Sequence, residues 1–185
     1  MAKATYQVAR KDYPQHGIFK GEGYWKWSFR FGGTHYSKTK PKPSQLTQSE
    51  FLGRVYALSE DIDDFVNNYD DLTTEGIQEF VENTLIPEIE DLQDECENSL
   101  DNMPEGLQDG PTGELLQGRI EALEEMRGEL ECLEFVFFPS MEQEEIDAIE
   151  GEEEREEAQD EFNNELDDFR SSLLEELGAI AYGGE

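Results

Sequence analysis

Phe51, Val55, Leu58, Ile62, Phe65, Tyr69 and Leu72 follow one another at steps of four and three residues. That is the spacing of a coiled-coil-like helix with one apolar seam, and such a helix needs a partner to cover it. The stretch from Thr47 to Leu72 that carries the seam also divides the chain by charge. Residues 1–45 hold nine of the fourteen Lys and Arg against only Asp12 and Glu22, a local charge of +7. The remaining 140 residues carry five Arg, no Lys and forty-four Asp and Glu, a charge of −39. The pattern predicts an α+β, mostly α fold in two parts. Residues 1–45 are read as a basic, aromatic antiparallel β-sheet segment ending in a Pro linker, and 46–185 as an acidic antiparallel helical bundle.

The first part reads as strands from Thr5 to Arg10, Ile18 to Lys20, Tyr24 to Phe31 and Thr34 to Thr39. Gly32-Gly33 between the last two is a signal for a two-residue hairpin. Such a loop sets Phe31 opposite Thr34, Phe29 opposite Tyr36 and Trp27 opposite Lys38. Trp25, Trp27, Phe29, Phe31 and Tyr36 then share one side, and Tyr24, Lys26, Ser28, Arg30, His35, Ser37 and Thr39 the other. An aromatic side of that size needs cover, since burying each ring contributes about 2 kcal/mol or more. The nearest cover is the seam helix, brought up by the stiff connector Lys40-Pro41-Lys42-Pro43 and opened by a capping box of Thr47 with Glu50.

A second helix is expected from Thr73 or Thr74 toward Asn102, with Ile77, Val81, Leu85, Ile89, Leu92, Cys96 and Leu100 inward and a kink or split at Pro87. Breakers crowd Met103 to Pro111, so the chain turns back there. A third helix from about Thr112 to Glu134, with Leu116, Ile120, Leu123, Met126, Leu130 and Leu133 inward, makes an antiparallel hairpin with the second. Phe135 to Pro139 ends it, and Ser140 with Gln143 reads as the next cap. The last segment buries Ile146 and Ile149, then Phe162, Leu166, Phe169, Leu173, Leu177 and Ile180. Between those groups lies either an exposed helical bridge or a break near Gly151, and Ala179 to Glu185 is expected to fray.

With 36% hydrophobic and 11% aromatic residues in 185, the chain has enough apolar surface for a core and is not a disordered acidic tail. Cys96 and Cys132 fall at apolar helix positions and read as buried thiols. The longest run of large apolar residues, Phe135 to Phe138, is far too short to span a bilayer. No membrane association is expected, and the cytoplasm of a host cell is the expected location. The lysine-rich first segment argues against a salt-loving host as the source of the acidity.

Tyr24-Trp25-Lys26-Trp27-Ser28-Phe29-Arg30-Phe31-Gly32-Gly33 with Pro43 to Thr47, and Asp101-Asn102-Met103-Pro104-Glu105-Gly106-Leu107-Gln108 with Thr112 to Leu116, resemble stretches of uncharacterised proteins of tailed phages and their bacterial hosts. The resemblance implies a phage or prophage origin and brings no activity or site residues with it. The aromatic hairpin is also loosely similar to the three-stranded DNA-reading modules at the N-terminus of tyrosine recombinases.

His16 and His35 are the sole imidazoles, and no zinc-spaced Cys/His cluster, phosphate-cradling glycine loop or nucleophile elbow is present. No catalytic residue and no cofactor or metal is therefore expected. Glu121 with Glu124, Glu142 with Glu145, and Glu157 with Asp160 have the three-residue spacing of Mg²⁺-holding helices, but forty-six acids generate such pairs by chance. Asp61, Asp63 and Asp64 lack the glycine turn of a calcium loop and read as a solvated face.

From Glu142 to Glu176 there are seventeen acids against Arg155 and Arg170, a net of −15. At about 1.5 Å of helical rise per residue the stretch spans roughly 50 Å, a charge per about 3.5 Å, near the roughly 3.4 Å spacing along a DNA strand. The sequence-level expectation is a phage-encoded acidic interaction protein that mimics DNA toward a host nucleic-acid-binding protein of defence or transcription. Its working surface is assigned to Glu152, Glu153, Glu154, Glu156, Glu157, Asp160 and Glu161. Two alternatives stand beside it: a structural or assembly role, and a nucleic-acid-binding module built on Lys20, Lys26, Arg30, His35, Lys38, Lys40 and Lys42. Crowded like charges further predict stability that rises with salt and at mildly acidic pH. The oligomeric state is left open by the sequence.

Overall fold

In the computed structural model, which describes residues 1–68 and 73–184, a three-stranded antiparallel sheet is followed by helices, an α+β and mostly α fold. The packing divides into two units, Met1–Asp61 and Ile62–Glu185. The first holds ten Lys and Arg against five acids, a net of +5; the second holds four Arg against forty-one acids, a net of −37.

In the first unit, β1 (Thr5–Val8), β2 (Gly23–Ser28) and β3 (Thr34–Ser37) lie in the order β1-β2-β3. Trp25 pairs with Ser37, Lys26 with Tyr36, Trp27 with His35 and Ser28 with Thr34. The connection is thus the five residues Phe29 to Gly33, not the two glycines. A two-residue turn of the favoured kinds needs positive φ at the first central residue or at both. Among the described residues the glycines with positive φ are Gly17 and Gly21, not Gly32 or Gly33. The pairing is offset by three from the expected one, and an odd offset exchanges faces. Tyr36 therefore joins Tyr24 and Lys26, while His35 and Ser37 join Trp25 and Trp27. His35 stacks on Trp27 with centroids 5.4 Å apart, and Tyr36 stacks on Tyr13 at 5.6 Å. Phe31, left on the loop, is 87% exposed.

Ile18 to Lys20 forms no strand. Ile18 bridges singly to Tyr13 across a 3-10 turn, Pro14–His16, which Gly17 closes with φ 64°. That bridge sinks Ile18 into a small core with Ala9 and Tyr24, flanked by Tyr13 and Tyr36. Trp27 is buried, and its indole N–H donates to the Gln45 carbonyl at 3.1 Å in a second 3-10 turn, Pro43–Leu46. Ser44 of that turn binds Glu60 through its N–H (2.9 Å) and hydroxyl (2.8 Å), which ties the turn to α1 (Glu50–Asn68). The cap of α1 is Ser49, whose hydroxyl accepts the Leu52 N–H at 3.3 Å, and not Thr47, which instead accepts the Ser49 N–H. Val55, Leu58, Ile62 and Phe65 are buried along the seam; Tyr69 and Leu72 lie outside the described residues.

In the second unit, Thr73 caps α2 (Thr74–Phe80) by accepting the Gly76 N–H at 3.1 Å. Pro87 lacks the N–H of a regular helix and crowds the carbonyl four residues back. A π turn at Val81–Leu85 directly ahead of α3 (Ile86–Asp101) absorbs it, so one buried stripe of Ile77, Val81, Leu85, Ile89, Leu92 and Cys96 continues across the irregularity. The breaker-rich loop holds a short α4 (Glu105–Gln108), after which α5 (Pro111–Glu131) runs back along α3. Gln93 meets Glu124 at 3.4 Å and Glu90 meets Arg127 at 3.8 Å, so one sequence descends as the other ascends, and the pair is antiparallel.

Cys96 is buried as expected, but Cys132 is exposed. The helix stops at Glu131, and Cys132 at its C-cap no longer follows the buried face. From Leu133 to Pro139 neither turn nor bend interrupts the chain, and burial alternates residue by residue, the two-residue period of an extended strap. Helix α6 (Gln143–Asp147) is capped by reciprocal bonds of Glu142 and Glu145, not by Ser140 with Gln143. Gly151 then precedes α7 (Glu152–Ala179), and Ile180 just beyond its end is buried, as its place in the apolar spacing predicts. No helix among the described residues is long and apolar enough to cross a membrane.

Candidate functional site: an acidic helix face

Helix α7 follows its N-cap, Gly151, and Glu152, Glu153 and Glu154 in its first turn complement the positive end of the helix dipole. Phe162, Leu166, Phe169, Leu173 and Leu177 recur at steps of four and three and are partly or fully buried. Three residues, Phe137, Gln143 and Ser140, pin this inner side. Phe137 of the strap lies against Phe162 (5.6 Å) and Phe169 (5.5 Å). Gln143 of α6 donates to Gln159 at 2.8 Å. The Ser140 N–H donates to Glu165 at 2.8 Å. Bonds from the Ser140 hydroxyl and then its N–H hold Glu165 below the usual carboxylate range.

With the inner side pinned, the opposite side is turned to solvent. At about 100° per residue, Glu152, Glu153, Glu154, Glu156, Glu157, Asp160 and Glu161 fall on one arc of roughly 200°. All seven are exposed. None has an ion-pair or side-chain hydrogen-bond partner among the described residues. Asp167 and Asp168 continue the same arc, Asp167 with Arg170 at 3.4 Å. Sequence reasoning stopped short of these two because it followed the densest run of acids; extending the helical angle would have found them. Nine carboxylates thus line about 24 Å of helix.

Of the two possibilities the sequence leaves for the acidic stretch, a helical bridge or a break near Gly151, the break is the one that forms, so Glu142 to Glu176 is not one rod. It is broken between Asp147 and Glu152, because Gly151 is the N-cap of a new helix. Over its own 28 residues, about 42 Å, α7 carries twelve acids and two Arg, one net charge per roughly 4 Å.

The basic residues are dispersed. His35 lies on the Trp27 side of the sheet, away from Lys26, which sits 5.9 Å from the Tyr36 ring. Arg30 is over Phe31 on the loop, and Lys38 is paired with Glu22 at 3.2 Å. The Phe19 N–H and then Lys38 hold Glu22 below the usual carboxylate range. Lys20, Lys40 and Lys42 are exposed at other points of the unit. Of the carboxylate pairs, Glu142 and Glu145 cap α6, and Glu124 accepts from Gln93. Among the described residues no three His, Cys, Asp or Glu converge as a metal site.

No protein-family model matches the chain, and no curated protein or solved structure matches it.

Proposed function

We propose that the chain is an acidic interaction protein of phage origin that offers the outer face of α7, as a substitute for a DNA backbone, to a host protein whose cleft is built for phosphates. The observation that carries this reading is the run of seven unpartnered, exposed carboxylates on one side of a helix pinned on its other side. Rigid carboxylates at that density create a negative field along a line, and a cationic groove responds to the field rather than to the chemistry that generates it. No catalytic step is involved. A defence nuclease or a transcription factor fits as the target class.

The test is competition. The protein is expected to displace DNA from its target, with an affinity that falls as salt rises, and to retain no DNA or RNA itself at moderate salt. Replacing Glu153, Glu156, Glu157 and Asp160 together by Lys abolishes the competition while helicity by circular dichroism is kept. Replacing Lys26, Arg30 and Lys38 by Ala leaves it intact. DNA retained by the wild type and released by the lysine variant would overturn the proposal in favour of the N-terminal sheet.

A further inference from the structure

Among the described residues, two extended segments have unpaired backbone groups and exposed apolar side chains, one in each unit. The first is β1, at the edge of its sheet. The Ala9 N–H bonds the Glu22 carbonyl at 2.8 Å, so alternation turns the backbone groups of Gln7 and Thr5 toward β2 and those of Tyr6 and Val8 to the open edge. Tyr6 and Val8 are also the exposed apolar residues here, at 61% and 58%. Lys3 and Arg10 bracket them, both exposed.

The second segment is the strap before α6. Phe135 and Phe137 turn inward, while Val136 and Phe138 are 62% and 82% exposed. No backbone group of residues 135–138 has a hydrogen-bond partner among the described residues. A groove of about 480 Å³ runs alongside, lined by Gln78, Leu133, Glu134, Phe135, Val136 and Phe138. Glu134 stands at one end of the strap and Glu142 beyond the other, both exposed.

We propose that β1 of one copy of this chain adds as a strand to the Val136–Phe138 strap of a second copy. Each edge offers what the other lacks: unpaired N–H and C=O groups, two alternate apolar side chains, and end charges of opposite sign. The same polarity holds for the whole units, +5 against −37. Because the two surfaces differ, the contact is head-to-tail and not a self-complementary dimer. The net charge of −32 on each copy opposes association at long range, and moderate salt screens it beyond about 8 Å.

Sedimentation equilibrium of the full chain at moderate salt, from micromolar to submillimolar concentration, is expected to show a mass that rises with concentration. Val136→Ser with Phe138→Ser, both at solvent-exposed positions, weakens association by about tenfold or more. Val8→Pro, which removes an N–H that no ladder bond uses, does the same with an unchanged circular dichroism spectrum. Charge exchange identifies the pairing, which with the two segments antiparallel sets Arg10 beside Glu134 and Lys3 beside Glu142. Glu134→Lys and Arg10→Glu each weaken self-association alone, and a mixture of the two variants associates again, because each copy then meets its opposite charge. A monomer at every concentration, association indifferent to Val8→Pro, or no recovery in the mixture would overturn the proposal.

Discussion

Gly113 and Gly118 stand five residues apart on α5, and the same substitution has opposite consequences at the two positions. A methyl group at Gly113 would overlap the backbone carbonyl of Gln108, whose side chain bonds the Leu100 and Met103 carbonyls at 3.2 and 3.0 Å and holds the turn between α3 and α5. Gly118 has open space where its Cβ would be and is exposed. Gly113→Ala is therefore expected to destabilise the protein by about 1–3 kcal/mol, since backbone must move. Gly118→Ala should stabilise it by about 0.5–1 kcal/mol, through a less flexible unfolded chain. Urea titrations of the two variants check both signs; equal effects would mean that the turn yields freely. Nothing in the sequence separates these glycines, because the difference lies in a carbonyl that only the folded turn brings near. The seam residues Val55, Leu58 and Ile62, by contrast, were legible from period alone, as was the stripe from Ile77 to Cys96. Period could not place Cys132, since it does not say where a helix stops.

Among the elements, the extended strap decides how α7 is presented, and its tie to the helix has a pH dependence of known sign. Glu165 is held below its ordinary value by Ser140, so it binds protons less readily when folded than when unfolded. Its contribution to stability is present above the unfolded carboxylate value, about 4.3, and is lost as pH falls through the lower folded value. Glu165→Gln should accordingly be less stable than wild type near neutrality, with the gap closing as the solution is acidified. A gap that persisted into strong acid would show that charge at Glu165 is not what Ser140 stabilises. Glu22, held down by the Phe19 N–H and Lys38, acts in the same direction. The direction at these two sites is opposite to the one that crowding by like charges predicts for the other acids, because specific hydrogen bonds favour the charged form here. The long helices and the main strands were readable in the sequence, whereas the single bridge at Ile18, the short α4 and the geometry of the connections were not. The Gly32-Gly33 loop cost the register by three residues, and with it the side of the sheet assigned to His35 and Tyr36.

At the scale of the molecule, the acidic unit is a problem in self-repulsion that its own cations cannot solve. Four arginines face forty-one acids between Ile62 and Glu185, and the pairs they make, such as Arg127 with Glu90 and Glu131, are solvent-exposed contacts of small energetic value. The remaining carboxylates are closer together in the folded unit than in an unfolded chain, so added salt should relieve the folded state more than the unfolded one. The helical melting transition, followed by circular dichroism, is expected to rise with sodium chloride. Each kcal/mol of repulsion removed corresponds to about 2–4 °C for a chain of this size. Both tryptophans, Trp25 and Trp27, lie in the basic unit, so tryptophan fluorescence follows that unit separately. There the effect should be smaller, because a net of +5 repels weakly and the Lys38–Glu22 pair is itself weakened by screening. A helical transition that did not move with salt would mean that the acids are neutralised in the folded state, and it would remove the unpaired carboxylate field on which the proposed DNA mimicry by α7 depends.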